Sequence, residues 1–273
     1  MLQSFAQVVR AARLLNRQGS RDGSHRQICD APREPWEENR QKVDEIYGGA
    51  QGAWLAVASA LSGHLGAAER VLRDRRFDLR GLRSILDVGS GAGQLARPLL
   101  RYADTQAQIT CCDLSSSMLH RARVRLASAW PNFVVADLAQ LPFADGSFDG
   151  ITCGYVLEHL PDPGPGLSEL SRVLMPGGRL LLLTTEDNLF GALTSHTWCC
   201  RTYNREELQS LCMSLGLIWA REIHTPRWHQ LPAIGGICVE LQKPRVALSP
   251  HPAARRSVFR FDEKEVCHGT GQS

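Results

Sequence analysis

The hydrophobic residues of this chain gather into short, near-continuous runs. Between the runs lie stretches in which apolar positions recur at helical spacing. Ile85-Leu86-Asp87-Val88, residues 108–113, residues 133–138, residues 151–154 and residues 179–185 are the runs. Apolar segments this short and this unbroken are the pattern of parallel strands covered on both faces. The intervening patterns read as helices. One covers residues 94–100. Another follows residue 115, with Met118, Leu119, Ala122 and Leu126 as its buried stripe, and a third covers 167–174 with Glu169 and Arg172 facing outward. Strand and helix in alternation predict an α/β fold built on an open, mostly parallel sheet.

The flanks continue the pattern less regularly. Three helices are expected ahead of the first strand, over 36–47, 50–61 and 65–75, placed to form a lid. Residues 161–163 close the element after the fourth strand, and residues 175–178 read as a tight turn. Past the fifth strand, Asn204 with Glu207 forms a capping-box pattern for a helix over 205–215 ended by Gly216, and two more strands are expected over 217–223 and 237–243. These features divide the chain into an N-terminal extension (1–35), a main domain (36–243, core 83–186) and a loose tail (244–273).

The chemistry begins where the first strand breaks. Val88 is followed by Gly89-Ser90-Gly91-Ala92-Gly93 and then by helical spacing. Strand, glycine-rich turn and helix bring bare backbone N–H groups and a helix N-terminus up to a ligand. The spacing is G-x-G-x-G, with neither the dinucleotide fingerprint nor a P-loop. Asp87 stands just before the loop, where a carboxylate repels a pyrophosphate and suits a cation. Asp113 ends the second strand, twenty residues beyond Gly93, the offset expected of a ribose-binding carboxylate. Asp137 repeats the arrangement after the third strand, and Gly154-Tyr155 ends the fourth.

The glycine loop with Asp87, the segment D-L-S-x-x-M-L from Asp113, and the stretch from Phe133 to Thr185 resemble class I methyltransferases dependent on S-adenosylmethionine (SAM), type 11, a group that includes quinone C-methylases and small-molecule enzymes. That resemblance implies a Rossmann-like, seven-stranded, mostly parallel sheet whose last strand is antiparallel, with helices on both faces and an N-terminal helical lid. It implies SAM as cofactor, with Gly89, Gly91 and Gly93 giving backbone approach and Asp87 facing the cationic end, indirectly or through water. Asp113 takes the ribose, Asp137 and Leu138 take the adenine, Met118 packs on the base, and Leu114 and Tyr155 join the same pocket. The implied activity is methyl transfer to a small-molecule or lipid-like acceptor. An RNA methyltransferase and a catalytically silent SAM-fold subunit or assembly factor are the alternatives.

Methyl transfer from a sulfonium needs alignment and a dry pocket more than a catalytic triad. If the acceptor must lose a proton, His159 and Glu158, just past the fourth strand, are the candidate bases. The acceptor is expected against the N-terminal helices, residues 187–201 and residues 225–236, the last with Trp228, His229 and Leu231. Composition narrows little else. The formal charge of +3 is too small to imply nucleic acid by itself. The 9 cysteines form no C-x-x-C pair and read as reduced core residues, with no metal site expected. There is no membrane-length apolar run. Residues 1–21 carry Arg10, Arg13, Arg17 and Arg21 without an acid, which suits either a surface helix in a cytoplasmic protein or a transit peptide to the mitochondrial matrix. Oligomeric state is left open.

Overall fold

A computed structural model describes residues 64–127, 131–187, 201–223 and 236–245. The helices expected over 36–47 and 50–61, the N-terminal extension and most of both acceptor-side segments lie outside the described residues, as does the tail beyond 245. Helix α1 (His64–Arg73) leads into β1 (Ser84–Val88). Then come α2 (Ala96–Tyr102), β2 (Gln108–Asp113), α3 (Ser116–Leu126), β3 (Asn132–Val135) and β4 (Phe148–Gly154). A 3-10 turn (Leu157–His159), α4 (Pro163–Val173), β5 (Leu174–Thr185), α5 (Arg205–Ser214), β6 (Ile218–Glu222) and β7 (Gly236–Gln242) complete the order.

The strands form one seven-stranded sheet in the order β3-β2-β1-β4-β5-β7-β6. Strands β1 to β5 run parallel, and β7 lies antiparallel between β5 and β6. This is the mostly parallel sheet with an antiparallel final strand that the resemblance implies. The chain steps from β1 outward through β2 to β3, then crosses back to place β4 on the other side of β1. That reversal opens a crevice at the carboxyl ends of β1 and β4, where open α/β sheets bind ligands.

The unbroken apolar runs have a direct structural cause. Leu86, Val88, Leu180 and Leu182 face one core, shared with Leu167 and Leu170 of α4 and Leu208 of α5. Ile85, Leu181 and Leu183 face the opposite core, shared with Val71 and Leu72 of α1, Leu99 of α2 and Leu119 of α3. A strand with a core on each face has no polar side to alternate with.

Three expectations change. The helix read over 167–174 starts earlier, at Pro163. Asp162 caps it through Gly164 N–H, and the proline occupies the first turn, where its missing N–H costs nothing. The tight turn at 175–178 is absorbed into β5. Gly177, with φ +85°, bends the strand while its N–H reaches Lys243 O. Glu169 and Arg172 do not simply face water. Glu169 accepts from Leu141 N–H, and Arg172 donates to the carbonyls of Leu141 and Phe143 and to Asp145, clamping the turn that leads into β4. Other boundaries move by a residue or two. The strand read over 133–138 ends at Val135, with Asp137 bridging to Gln140.

One carboxylate joins β1 and β4 at their amino-terminal ends, opposite the crevice. Asp149 in β4 accepts from Arg83 N–H at 2.7 Å and Ser84 N–H at 2.9 Å, fixing β1 against β4. Replacing Asp149 with Ala removes the acceptor from one exposed and one part-buried amide and should lower the unfolding free energy by about 1 kcal/mol. Urea denaturation checks this through a lower midpoint at unchanged slope.

Candidate functional site

The glycine loop is held from three directions. Ser90 N–H donates to Cys112 O on β2, Ser90 Oγ donates to Asp87 O, and Gly91 N–H donates to Asp113 Oδ2 at 2.8 Å. Gly89 has φ +67°, and a Cβ there would lie 2.0 Å from Val156 Cγ2. Glycine at 89 is therefore required twice, by conformation and by the close approach of the turn after β4. At Gly91 a Cβ would lie 2.9 Å from Gln94 Oε1 and 3.6 Å from Met118 Cε, so Met118 sits against the loop.

The acids occupy the ends of three neighbouring strands. Asp113 accepts from Gly91 N–H through one oxygen and from Ser115 N–H through the other, at 2.9 Å. These two bonds tie the end of β2 to the glycine loop on one side and to the start of α3 on the other. Asp137 Oδ1 accepts from Ala139 N–H, which holds the turn after β3, and Leu138 beside it is buried. Asp87 differs. It is fully buried, Oδ1 accepts from Thr152 Oγ1 at 2.7 Å, and Oδ2 has no partner. Burial pushes its carboxyl up to about 7, opposed by the Thr152 hydrogen bond. Sealed in this way, Asp87 offers no carboxylate oxygen at the surface of the crevice.

The fourth strand end departs further from expectation. Tyr155 takes φ +58°, uncommon for a bulky residue. Its N–H donates to Leu183 O, and its ring packs into the core beside Leu183 and Cys238. The ring thus packs on the core, and it is the side chain of Val156 that borders the loop. Glu158 is 4% exposed, so it is no surface acid. Its Oε1 accepts from Thr185 N–H at 2.7 Å and from Thr185 Oγ1 at 3.1 Å, which ties it to β5 and removes it as a free base. His159 is half-buried, and the protein packed around its ring pushes its pKa down to about 4. It is neutral at physiological pH and a weak base, poorly matched to proton abstraction. Leu114 is half-buried at the β2–α3 junction.

Sequence reasoning missed Thr152, Thr185 and Val156, the partners of Asp87, Glu158 and Gly89. The hydroxyls carry one signal, a polar residue inside an otherwise apolar strand. Val156 carries none, because an apolar residue after a strand looks like packing. The buried thiols of Cys111, Cys112, Cys153 and Cys212 are pushed up by desolvation, which makes them poor nucleophiles.

Three carboxylates and bare main chain along one sheet edge repel phosphate and attract a cation that carries sugar hydroxyls. Such an edge on this fold is in keeping with the methyltransferase resemblance. Comparison with known proteins agrees. The family described as "Methyltransferase domain" (Methyltransf_11) matches residues 86–182. A ubiquinone/menaquinone biosynthesis C-methyltransferase UbiE from Desulfotalea psychrophila is 39% identical over 105 residues, covering 38% of this chain and 42% of that protein. The UbiE protein of Pseudomonas putida strain F1 is 31% identical over 156 residues, covering 55% of this chain and 60% of its own. The matched region thus spans about half the length of these curated relatives.

Among solved structures, magnesium protoporphyrin IX methyltransferase (ChlM) from Synechocystis PCC 6803 with bound SAM aligns at a TM-score of 0.59 and 20% identity, over 75% of this chain and 97% of that one. An S-adenosylmethionine dependent methyltransferase from Mesorhizobium loti aligns at 0.54 and 18% identity, over 66% of this chain and 100% of that one. Residues 86–182 of this chain belong to the type 11 family of SAM-dependent methyltransferase domains.

Two outcomes follow from the geometry. Gly89→Ala should raise the SAM dissociation constant at least tenfold, because it adds αL strain of about 1–2 kcal/mol to the clash with Val156. Gly89→Ala with Val156→Ala removes the clash and should recover only part of the loss, read by calorimetry. Asp87 supplies a pH signature. Its folded pKa of about 7 lies above the ordinary carboxylate value, so ionising it costs folded-state stability. Its contribution is present at low pH and lost as pH rises from about 4 through about 7. A cationic ligand favours the ionised form, so SAM affinity should rise over pH 6–8. Asp87→Asn should flatten both dependences relative to the parent protein, in thermal melts and titration calorimetry.

Proposed function

We propose that this protein transfers a methyl group from SAM to a carbon of a quinone-type small molecule, with residues 36–243 as the working unit. The observation that carries the reading is the Asp113 carboxylate. It closes β2 beside the glycine loop and is held in place by Gly91 and Ser115 N–H. The acceptor class is supported by the relatives, whose name records ubiquinone/menaquinone biosynthesis C-methylation.

The residues present fit the cofactor. SAM supplies a methyl group already attached to a good leaving group. Asp113 holds the two ribose hydroxyls and so sets where the sulfonium lies along the sheet edge. Asp137 and the backbone beside Leu138 receive the adenine amino group, and Met118 packs against the base. The unpartnered oxygen of Asp87 lowers the electrostatic potential at the cationic end without offering a nucleophile that methylation could consume. Leu114 borders the ribose end, and Tyr155 contributes main chain at the methionine end. The main catalytic contribution is then alignment: a rigid sheet edge holds donor and acceptor in line. Neither His159 nor Glu158 is assigned proton transfer, and an electron-rich quinol ring that loses its proton after attack has little need of a strong base.

Incubation with methyl-labelled SAM and a demethylated quinol should place label in the quinol product. Label found in RNA instead would replace this reading with the nucleic-acid one. Asp113→Ala should weaken SAM binding by at least tenfold, since it removes a carboxylate that accepts two hydroxyls. Unchanged affinity in calorimetry would refute the ribose assignment.

A further inference from the structure

The turn after β4 is fastened more firmly than a surface connection requires. Its first residue, Tyr155, is pinned by N–H to Leu183 O and by its ring in the core. Tyr203 Oη donates to Leu157 O, and Arg201 N–H donates to Glu158 O. Tyr203 N–H in turn donates to Thr185 O, so residues 201–203, the end of β5 and the turn form a closed ring of bonds. At its centre is the Glu158 side chain, whose Oε1 takes both the amide and the hydroxyl of Thr185. Its Oε2 is buried without a hydrogen bond. The Thr184 hydroxyl lies close enough to favour the ionised carboxylate, yet it forms no bond of ordinary geometry and is itself unpartnered.

A buried carboxylate is a costly way to fasten a turn, because a neutral amide could accept the same two bonds. What it holds explains the need for fastening. Val156, two residues earlier, sits so close to Gly89 that the glycine loop has room for no other residue. The shape of the loop at Gly89 is thus moulded by Val156, and the position of Val156 depends on the turn that Glu158 fastens to β5.

We propose that Glu158 is a positioning residue for cofactor binding, acting through the chain Thr185–Glu158–Val156–Gly89 to hold the glycine loop in its binding shape. This rests on the assignment of that loop to SAM. Glu158 itself touches neither donor nor acceptor. Its effect is mechanical, carried by one accepting oxygen, and so a glutamine can replace it. In Glu158→Gln the carbonyl oxygen keeps both Thr185 bonds, and the new amide group becomes a donor for the nearby Thr184 hydroxyl.

The test is a double-mutant cycle on the full chain, read as SAM dissociation constants by titration calorimetry below the melting temperature of each variant. Glu158→Ala should weaken SAM binding by about tenfold, the effect of losing a buried charged acceptor. Glu158→Gln should stay within about threefold of the parent protein, because the acceptor is retained. Val156→Ala alone should also weaken binding, and combining it with Glu158→Ala should add little more, since both act along one path.

If Glu158→Ala does not fold, Thr185→Val, which keeps the amide and removes only the hydroxyl, should give about a threefold loss that is likewise non-additive with Val156→Ala. Independent, additive losses, or a Glu158→Ala protein that melts earlier but binds SAM normally, would reduce Glu158 to a structural residue and overturn the proposal. Failure of the parent protein to bind SAM would overturn the cofactor reading itself. That outcome is visible before any variant is made.

Discussion

The arrangement depends on one bridge, the Asp113 carboxylate between Gly91 N–H and Ser115 N–H. Each amide belongs to a different strand-to-helix junction, one after β1 and one after β2. A glycine-rich loop has weak conformational preferences of its own, and leaving its amides unpaired inside a cleft is expensive. A charged acceptor at the next strand end satisfies one of them and sets the distance between the junctions. The group that orders the loop is therefore the same group proposed above to receive the ribose.

The sheet supplies the rigidity on which that bridge relies. Leu180 to Leu183 alternate between two cores, so β5 cannot shift by one residue without exchanging both sets of contacts. Tyr155 gains its place from this strand, through Leu183 O, and accepts left-handed backbone geometry in return. Strain of this kind persists only where neighbours over-determine a residue. Here the ring buried beside Leu183 and Cys238 holds it from one side and the 3-10 turn holds it from the other. The outcome is a strand end whose side chain packs on the core while the next residue, Val156, meets the glycine loop.

Much of this was legible from residue order. The two-core strands betray themselves by lacking alternation, and the Gly93-to-Asp113 interval marks the βαβ unit. Asn204 accepts from Glu206 and Glu207 N–H, as its place before a helical pattern announces. What could not be read is which way a side chain turns at a junction. Pro161-Asp162-Pro163 looks like a terminator, yet the middle aspartate is a cap and the second proline a helix start. Glu158 and His159 look like a base pair of candidates by position alone. Their chemistry is decided by burial, and burial at a turn depends on residues 201–203, far along the chain. Tyr155 fails for a similar reason: positive φ in a tyrosine leaves no mark in sequence.

Asp87 and Glu158 together suggest why buried carboxylates persist on this edge. Each lies where a neutral side chain of the same shape could make the same hydrogen bonds, and each leaves one oxygen unpartnered. Uncompensated burial of this kind disfavours the folded protein, and a cation arriving nearby relieves it. Asp87, just before the loop, is the nearer of the two to the crevice, and burial pushes its carboxyl up to about 7. Glu158 lies one strand further along and is held by Thr185, so its charge is spent on geometry. The same kind of group thus occupies two neighbouring dry sites with different surroundings, Asp87 just before the glycine loop and Glu158 against the end of β5.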